Sequence, residues 1–448
     1  MALRIRRLAL TLVMLATLAQ PAALAADAPR SGWPEFRGPL GNGHAPAPKA
    51  ADAPAVPLQW SETENVAWKT PIPFRGWSTP VVLEGKIWIT TATEEGHDFY
   101  VLSVDAATGE ILLNKQLFHA DNPEPLGNNV NSYASPTAVV EPGRVYVHFG
   151  SYGTACLDTG SGEVLWQRQD LPCRHFRGPG ASPILFENLL ILTMDGADVQ
   201  YVAALEKTTG ETVWRTDRTT AWIDLDENGQ PKREGDFRKA FTTPLVIDAA
   251  GKKQLISPSS YTIYSYDVRT GQEIWRGVHT SYSPASRPLF DGKLLFVPTG
   301  RGKSELWAIR PDGAGDVTAT QVVWKLDGPA IPQEPSGILV DDLLYLVSNQ
   351  GEATCVDTAM GAPLWSERLG GNYVASPVYA AGRLYFGSMQ GKTTVLKPGR
   401  AYEILATNTL GGGLDDGFMA SPAVVDDALY LRTRTHLYLI REGAKPAE

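Results

Sequence analysis

A small residue followed by proline and a short apolar run recurs eight times along this chain of 448 residues. The copies stand at intervals of roughly 40 to 60 residues, a period typical of folds built from repeated supersecondary units. Such a unit cannot bury its apolar face alone, so neighbouring units stack and share a continuous core. The eight copies are WSTPVV (Pro80), YASPTAVV (Pro136), GASPILF (Pro183), FTTPLVI (Pro244), ASRPLF (Pro288), the degenerate EPSGILV (Gly337), VASPVY (Pro377) and MASPAVV (Pro422).

A second element closes each repeat with a polar turn and a tryptophan, in the approximate form D-x-x-T-G-E-x-x-W. Glycine supplies the positive φ of a tight hairpin, and the aspartate accepts hydrogen bonds from the amides of its own turn. The tryptophan offers a large flat surface for packing between neighbouring repeats. The clear examples are VDAATGEILL, LDTGSGEVLW, LEKTTGETVW, YDVRTGQEIW and VDTAMGAPLW, and the looser ones are IRPDGAGD and LKPGRAYEIL.

Each repeat therefore contains four antiparallel strands, which is typical of a β-propeller blade. Proline at the opener fits because the innermost strand of a blade is a sheet edge that faces the central channel. The sequence predicts an all-β fold, an eight-bladed β-propeller of four-stranded antiparallel blades. Two separate β-sandwiches are disfavoured, since the repeat runs through the chain without a break.

The two ends of the repeat array predict how the ring closes. The last repeat ends at LYLIREG without a fourth strand, and the segment ENVAWKTPI, which contains Trp68, resembles a displaced fourth strand. Pairing the two would protect both sheet edges. We therefore predict that an N-terminal strand closes the ring.

The N-terminus has the pattern of a secretory signal peptide: MALRIRR, an apolar run LALTLVMLATLA, and the small residues AALAA. A retained membrane anchor is the alternative, but the apolar run is short and ends at Gln20 and Pro21. We predict a signal peptide over 1–26, an N-terminal extension and linker over 27–59, the propeller over 60–442 and a C-terminal tail over 443–448. The mature protein would then be periplasmic or secreted.

Charge and apolar patterning exclude several functions. Cleavage of the leader removes three arginines and takes the formal net charge from −9 to −12. An acidic chain is a poor nucleic-acid ligand, because phosphate neutralisation requires a basic face. No later apolar run approaches the ~20 residues that span a bilayer. We therefore expect no nucleic-acid partner and no membrane span.

Cysteine and histidine patterns give no metal or haem signature. Cys156, Cys173 and Cys355 are widely spaced, no CxxC occurs, and the seven histidines show no HxxxH spacing. Buried free cysteines are expected. The stretch TGRGKSE, 299–305, fails the phosphate-loop pattern because Val297 replaces the first glycine, so we predict an inter-strand turn there.

The tetrapeptide Asp158-Thr159-Gly160-Ser161 matches the signature around an aspartic protease carboxylate. Such proteases bring two carboxylates together to share one proton. The nearest second match, VDTAMG at Asp357, has alanine where the signature requires glycine. Both matches are copies of the repeat's own turn, so Asp158 is predicted to be a turn residue.

The best candidates for a binding site are the polar loops that enter the innermost strands, because these loops converge on one mouth of the channel. Two interpretations are open for the arginine and amide donors of these loops. They hold a small anionic or polar ligand, or they satisfy loop carbonyls and channel waters. The tripeptide FRG, at Arg37, Arg75 and Arg177, would also bring arginines near the channel. The candidates are Asn131, Arg174, His175, Arg177, Asp415 and Asp416.

A charged insertion at 219–241 exceeds an ordinary connection between blades. It is suited to capping the channel mouth or contacting a partner, and a tolerated surface excursion is the alternative.

The repeats VASPVYAAGRLYFGSMQGKTTVLKPG and LDTGSGEVLW resemble the PQQ-type repeat of eight-bladed propellers. That family includes pyrroloquinoline-quinone dehydrogenases and the propeller lipoprotein of the outer-membrane β-barrel assembly machinery. The resemblance covers nearly all of 60–441, and WPEFRGPLGNG is similar to the Trp-Pro segment that precedes many such propellers. The lipid-bearing cysteine of the assembly lipoprotein is missing here.

For the dehydrogenases, the resemblance implies an adjacent cysteine pair over the quinone, a tryptophan floor, calcium ligands and an aspartate base. No two cysteines are adjacent in this chain. We therefore expect an exported, non-catalytic binding or scaffold protein of the cell envelope, with an envelope protein or a small polar ligand as partner. No cofactor is predicted. The alternative is an oxidoreductase that acts on an alcohol or sugar with PQQ and calcium, and a hydrolase is less supported because no nucleophile–base pair is evident.

Overall fold

The computed structural model describes residues 32–46, 55–127, 130–411 and 417–444, and their strands form eight sheets. The predicted eight-bladed β-propeller is confirmed. Blade one consists of β2 (Val81–Leu83), β3 (Lys86–Ala92), β4 (Asp98–Asp105) and β5 (Ile111–His119), blade two of β6 (Val139–Glu141), β7 (Arg144–His148), β8 (Thr154–Asp158) and β9 (Val164–Arg168), blade three of β10 (Ile184–Phe186), β11 (Leu189–Asp195), β12 (Gln200–Glu206) and β13 (Thr212–Asp217), and blade four of β14 (Leu245–Ala249), β15 (Lys252–Ser259), β16 (Thr262–Asp267) and β17 (Glu273–Val278).

The remaining blades follow the same order from the channel outward. Blade five consists of β18 (Leu289–Phe290), β19 (Leu295–Pro298), β20 (Glu305–Ile309) and β22 (Val322–Asp327), blade six of β23 (Ile338–Val340), β24 (Leu343–Val347), β25 (Glu352–Asp357) and β26 (Pro363–Arg368), blade seven of β27 (Val378–Ala380), β28 (Arg383–Gly387), β29 (Lys392–Leu396) and β30 (Ile404–Thr409), and blade eight of β31 (Ala423–Val425), β32 (Ala428–Arg432), β33 (His436–Ile440) and β1 (Val66–Pro71). A short 3₁₀ element, Lys232–Arg238, lies between blades three and four.

Burial along the strands explains the repeat's residue pattern. The middle strands are covered on both faces and are largely buried, as in β24, where all five residues are buried. An outer strand such as β22 alternates between half-buried and exposed residues. The core lies between neighbouring blades: Trp88 of blade one and Val147 of blade two belong to the same buried cluster.

The first strand of the chain belongs to the last sheet. β1 pairs antiparallel with β33, with Trp68 opposite Leu439 and Thr70 opposite Leu437. Trp68 is itself buried, and its indole Nε1 donates to the Ala106 carbonyl of blade one at 3.3 Å. β1 therefore supplies a fourth strand to blade eight and a contact to blade one.

The repeated tryptophan and the repeated turn glycine contact each other across blades. Gly210 has a φ of 77°, and a Cβ at this position would lie 2.7 Å from Trp166 of the preceding blade. The Trp166 indole also donates to the Lys207 carbonyl in the same turn at 2.9 Å. Trp324 and Gly361 repeat the arrangement in blades five and six. The motif is therefore a blade-to-blade contact as well as a hairpin.

Asp158 is a turn residue, as predicted. Its Oδ1 accepts hydrogen bonds from the amides of Gly160 and Ser161 at 2.9 and 2.7 Å. The bond from the Ser161 amide is the main reason that the pKa of Asp158 lies below its usual value. Asp357 likewise accepts from the amides of its own turn and pairs with Arg400. Both carboxylates stabilise hairpins.

In blade two the innermost strand begins later than the opener proline predicts, and blade four has an additional strand. The other seven innermost strands begin one residue after the opener proline or, in blade six, Gly337, whereas β6 begins three residues after Pro136. In blade two, Thr137 follows Pro136, whereas in blade one Thr79 precedes Pro80, and each threonine lies two residues before its innermost strand. Blade four gains a fifth strand, β21 (Gly315–Asp316), which pairs parallel with β17.

The cysteines and the apolar segments can also be compared with the sequence predictions. The three cysteines are buried free thiols, as expected. In the described part of the chain, no helix is long and apolar enough to cross a membrane. The predicted leader lies outside the described residues.

Candidate functional site

A belt of hydroxyl groups surrounds the channel where the innermost strands begin. Two residues before each innermost strand, seven blades carry serine or threonine and blade five carries Arg287. Among the described residues, six belt amides donate to the hydroxyl of the following blade, for example Thr79 to Thr137 and Thr137 to Ser182, both at 2.9 Å. The further links join Ser182 to Thr243, Arg287 to Ser336, Ser336 to Ser376 and Ser376 to Ser421. The belt thus connects neighbouring blades at the channel.

Arg287 occupies the belt position of blade five and anchors the N-terminal segment 32–46. Its Nη1 donates to the carboxylate of Glu35 at 2.9 Å and to the Phe36 carbonyl at 2.6 Å. Its Nε donates to the Pro244 carbonyl of blade four at 3.1 Å. A cation replaces a hydroxyl here and binds a carboxylate that lies inside the channel.

The N-terminal segment crosses the channel: Trp33 contacts blade one, and Glu35 and Phe36 contact Arg287 of blade five, which lies opposite blade one in a ring of eight. Trp33 exchanges backbone hydrogen bonds with Val82 of blade one, and Gly43 and Ala45 bond to Tyr379 of blade seven. Between them, the buried guanidinium of Arg37 donates to the carbonyls of Gly337 and Pro377 in blades six and seven. Part of the predicted linker region 27–59 is therefore packed within the propeller.

A cavity of about 420 Å³ lies at the channel mouth. It is bounded by the belt, the N-terminal segment, the loops that enter the innermost strands and the 219–241 insertion. Its lining residues include the belt hydroxyls Thr79, Thr137, Ser182, Thr243, Ser376 and Ser421, the aromatic residues Phe36, Trp77, Phe237, Phe241 and Tyr282, and the charged residues Arg177, Arg233, Asp236, Lys239, Arg301 and Glu334.

One carboxylate in this cavity is shared by two cations. Arg177 donates from Nε and Nη2 to Asp236 at 3.0 and 3.1 Å, and Lys239 Nζ lies 2.8 Å from Asp236 Oδ1. Burial acts to raise the pKa of Asp236, but hydrogen bonds from Arg177 and Lys239 outweigh it and hold the pKa below its usual value. Burial lowers the pKa of Lys239, which the hydrogen bond to Asp236 opposes. With Asp236 ionised, this cluster has one positive charge in excess.

The other charged groups add to this excess. Arg301 pairs with Glu334, and the Arg233 guanidinium lies over the Phe237 ring at 5.1 Å. Among the described residues, Arg233 forms no ion pair with a carboxylate. The described charges that line the cavity therefore sum to an excess of two positive charges in an acidic protein.

Two further arginines are buried at the channel, Arg432 at the end of β32 and Arg37 in the N-terminal segment. Arg432 donates to the carbonyls of Ser78 and Thr90, each at 3.0 Å, and Arg37 donates to carbonyls as described above. Neither has a carboxylate partner in the described part of the chain. Burial lowers the pKa of each to about 9, so both are charged at neutral pH. The channel is therefore an electropositive region.

The predicted site residues separate into three groups. Asn131 and Arg177 line the cavity. Arg174 and His175 are not among the lining residues: Arg174 pairs with Glu124 at 2.7 Å, and His175 is buried with its Nδ1 3.9 Å from Cys173 Sγ. Asp415 and Asp416 lie outside the described residues.

Several lining residues were missed individually by sequence reasoning. Arg233, Asp236 and Lys239 come from the 219–241 insertion, whose position at the mouth fits the capping alternative. Arg301 belongs to TGRGKSE, which forms the expected turn between β19 and β20. The insertion's unusual charge was the signal, but only folding shows which of its side chains reach the cavity.

The described residues do not fit a calcium-bound quinone. The two carboxylates among the described lining residues, Asp236 and Glu334, are already bound by Arg or Lys side chains. The described residues contain no group of three or more His, Cys, Asp or Glu arranged to hold a metal ion. No cysteine is among the described lining residues.

Comparisons with known proteins agree on the architecture. No curated protein is similar enough in sequence to count as a match. The quinohemoprotein alcohol dehydrogenase from Comamonas testosteroni is 13% identical, with 95% of this chain and 82% of that chain covered and a TM-score of 0.69. A europium-containing methanol dehydrogenase is 11% identical over 92% of this chain and 98% of that chain, with a TM-score of 0.67. BamB from Moraxella catarrhalis is 12% identical over 83% and 98%, with a TM-score of 0.54.

These solved structures share the fold with this chain at only 11–13% sequence identity. A protein-family model, in contrast, matches the amino-acid sequence directly. The model described as outer membrane protein assembly factor BamB matches residues 54–171 and 198–442. Since this is well over half of the chain, the protein belongs to the PQQ-like β-propeller family that this model describes.

Proposed function

We propose that this protein is exported to the cell envelope and acts there as a non-catalytic binding protein, with a small anionic ligand held at the channel mouth. The observation that supports this most directly is the positive excess around a 420 Å³ cavity in a chain of net charge −9. Two cations share Asp236, and Arg233 has no carboxylate partner in the described residues. A bound anion would balance charges that the chain leaves unbalanced.

The lining chemistry favours binding over catalysis. No histidine is among the described lining residues, and both lining carboxylates form ion pairs. A general base must be free to accept a proton from its substrate, and a nucleophile needs such a base beside it. The family description, which concerns outer membrane assembly, supports an envelope protein as a further partner.

Replacing Lys239 with Met should weaken the binding of small anions by at least about ten-fold, because a charged hydrogen-bond donor contributes ~1.5–3 kcal/mol. Asp236 and Arg177 would then balance each other, and the positive excess would fall. Isothermal titration calorimetry with inorganic phosphate and benzoate, at two salt concentrations, measures the effect. Arg233→Gln is a second variant that leaves the Asp236 cluster intact and should also weaken binding.

Lys397→Met is the matched control, because Lys397 is exposed and pairs with Glu403 away from the cavity. It should bind anions as the wild type does. Equal affinity of the Lys239 and Arg233 variants and the wild type would count against an anion site at the mouth.

The quinone-dependent oxidoreductase is tested separately. Purified protein is incubated with PQQ and calcium, and reduction of an artificial electron acceptor is followed with alcohol and sugar substrates. We expect no turnover and co-purification with envelope proteins. Cofactor-dependent turnover would overturn the non-catalytic proposal.

A further inference from the structure

Resting on the proposed function, the structure of the cavity also indicates the kind of anion. We propose that the ligand is a polyhydroxylated carboxylic acid, a sugar acid, whose carboxylate faces the cations and whose ring oxygens and hydroxyl groups accept hydrogen bonds from the belt.

The belt presents hydroxyl donors to the cavity. Thr137, Ser182, Thr243, Ser376 and Ser421 each use the hydroxyl oxygen to accept a backbone amide. A hydroxyl has one proton to donate in addition, and within the described residues none of these five donates it to a protein acceptor. A ring of donors at one end of a cavity complements a ligand with many oxygen acceptors.

Thr79 is a belt residue whose buried hydroxyl neither accepts nor donates a hydrogen bond among the described residues. It is 1% exposed and lines the cavity, and its Oγ1 has no hydrogen-bond partner among the described residues. A buried hydroxyl without a partner costs about 1–3 kcal/mol, so it is expected to have one in the functional state. The cavity is where that partner would be.

The cations lie elsewhere on the cavity wall, in the loop of Arg177 and the insertion of Arg233 and Lys239. The two donor sets therefore require a ligand with a charged group and separate neutral oxygens. Inorganic phosphate has the charge but cannot extend to both. Cavities of this size, within the ~300–1,000 Å³ usual for small-molecule sites, hold larger molecules.

A flat aromatic acid is disfavoured because the aromatic side chains already have partners. The guanidinium groups of Arg75 and Arg434 lie 5.0 and 5.2 Å from the Trp77 ring centroid. Phe237 contacts Tyr282 at 4.5 Å between ring centroids, and Lys239 lies 5.2 Å from the Phe241 ring. These contacts account for four of the five aromatic residues named in the described lining.

Calorimetry with glucuronate, glucose, benzoate and inorganic phosphate tests the inference. Glucuronate should bind at least ten-fold more tightly than each of the others. Thr79→Val, which keeps the shape and removes the hydroxyl, should weaken glucuronate binding by about 2- to 10-fold and leave benzoate and phosphate binding unchanged. Thr79→Ser restores the hydroxyl and should restore the affinity, whether or not the valine variant folds well.

Thr242→Val is the matched control. Thr242 is also buried with an Oγ1 that has no partner in the described residues, but it is not among the cavity-lining residues. Equal effects of the two valine variants on glucuronate, or benzoate or phosphate binding as tightly as glucuronate, would overturn the sugar-acid assignment and leave the anion site standing. If none of the three anions binds, both proposals fail.

Discussion

Replacing Arg287 with Ala should lower the free energy of unfolding by about 3–5 kcal/mol, the usual cost of removing one partner of a buried ion pair. The variant loses hydrogen bonds to Glu35, Phe36 and Pro244. It also leaves the Glu35 carboxylate without its cation in the channel, where burial already raises the pKa of Glu35 against the opposing effect of Arg287. Chemical denaturation followed by tryptophan fluorescence measures the loss.

Two controls separate this ion pair from a general effect of removing a cation. Lys253→Ala removes an exposed pair with Asp248 and should change stability by no more than about 0.5 kcal/mol. Combining Arg287→Ala with Glu35→Gln should recover part of the loss, because no buried charge is then left alone. A loss of less than about 1 kcal/mol in the single variant would mean that the segment 32–46 is not held by this pair.

Replacing Gly210 with Ala should lower the free energy of unfolding by about 2–5 kcal/mol, from two separable terms. A non-glycine residue in the left-handed region costs about 1–2 kcal/mol, and crowding in a packed contact costs about 1–3 kcal/mol more. The crowding arises because the new Cβ would lie 2.7 Å from the Trp166 ring. The blade-to-blade contact must then open or shift.

Gly251→Ala isolates the conformational term. Gly251 has a similar φ of 71°, and a Cβ there would have no atom within 4 Å. It should therefore cost only about 1–2 kcal/mol. In a double-mutant cycle with Trp166→Ala, the Gly210→Ala penalty should fall to the same value, since the ring is absent. Additive effects would show that the glycine and the tryptophan do not act as a pair.

The candidate site was predictable only in outline. Asn131 and Arg177 line the cavity because the polar loops before the innermost strands meet at the channel mouth. Arg174, only three residues before Arg177, pairs with Glu124 instead, since loop conformation decides which of two neighbouring side chains points inward. Asp236 and Lys239 could not be assigned from an insertion with no repeat partner, because no period specifies its path.

The sequence alone determined the number of blades, the turns and the packing tryptophans, because these depend on short motifs repeated at a regular interval. Asp158 is such a case: its match to a protease signature is explained by its position in the repeat. Only the tertiary structure determined which side chains line the cavity. Closing the ring brings Phe36, Thr79, Lys239 and Arg301 to one cavity although they are far apart in the chain. Local sequence propensity does not predict which distant residues come together, since their convergence depends on the angles and loops of all eight blades together.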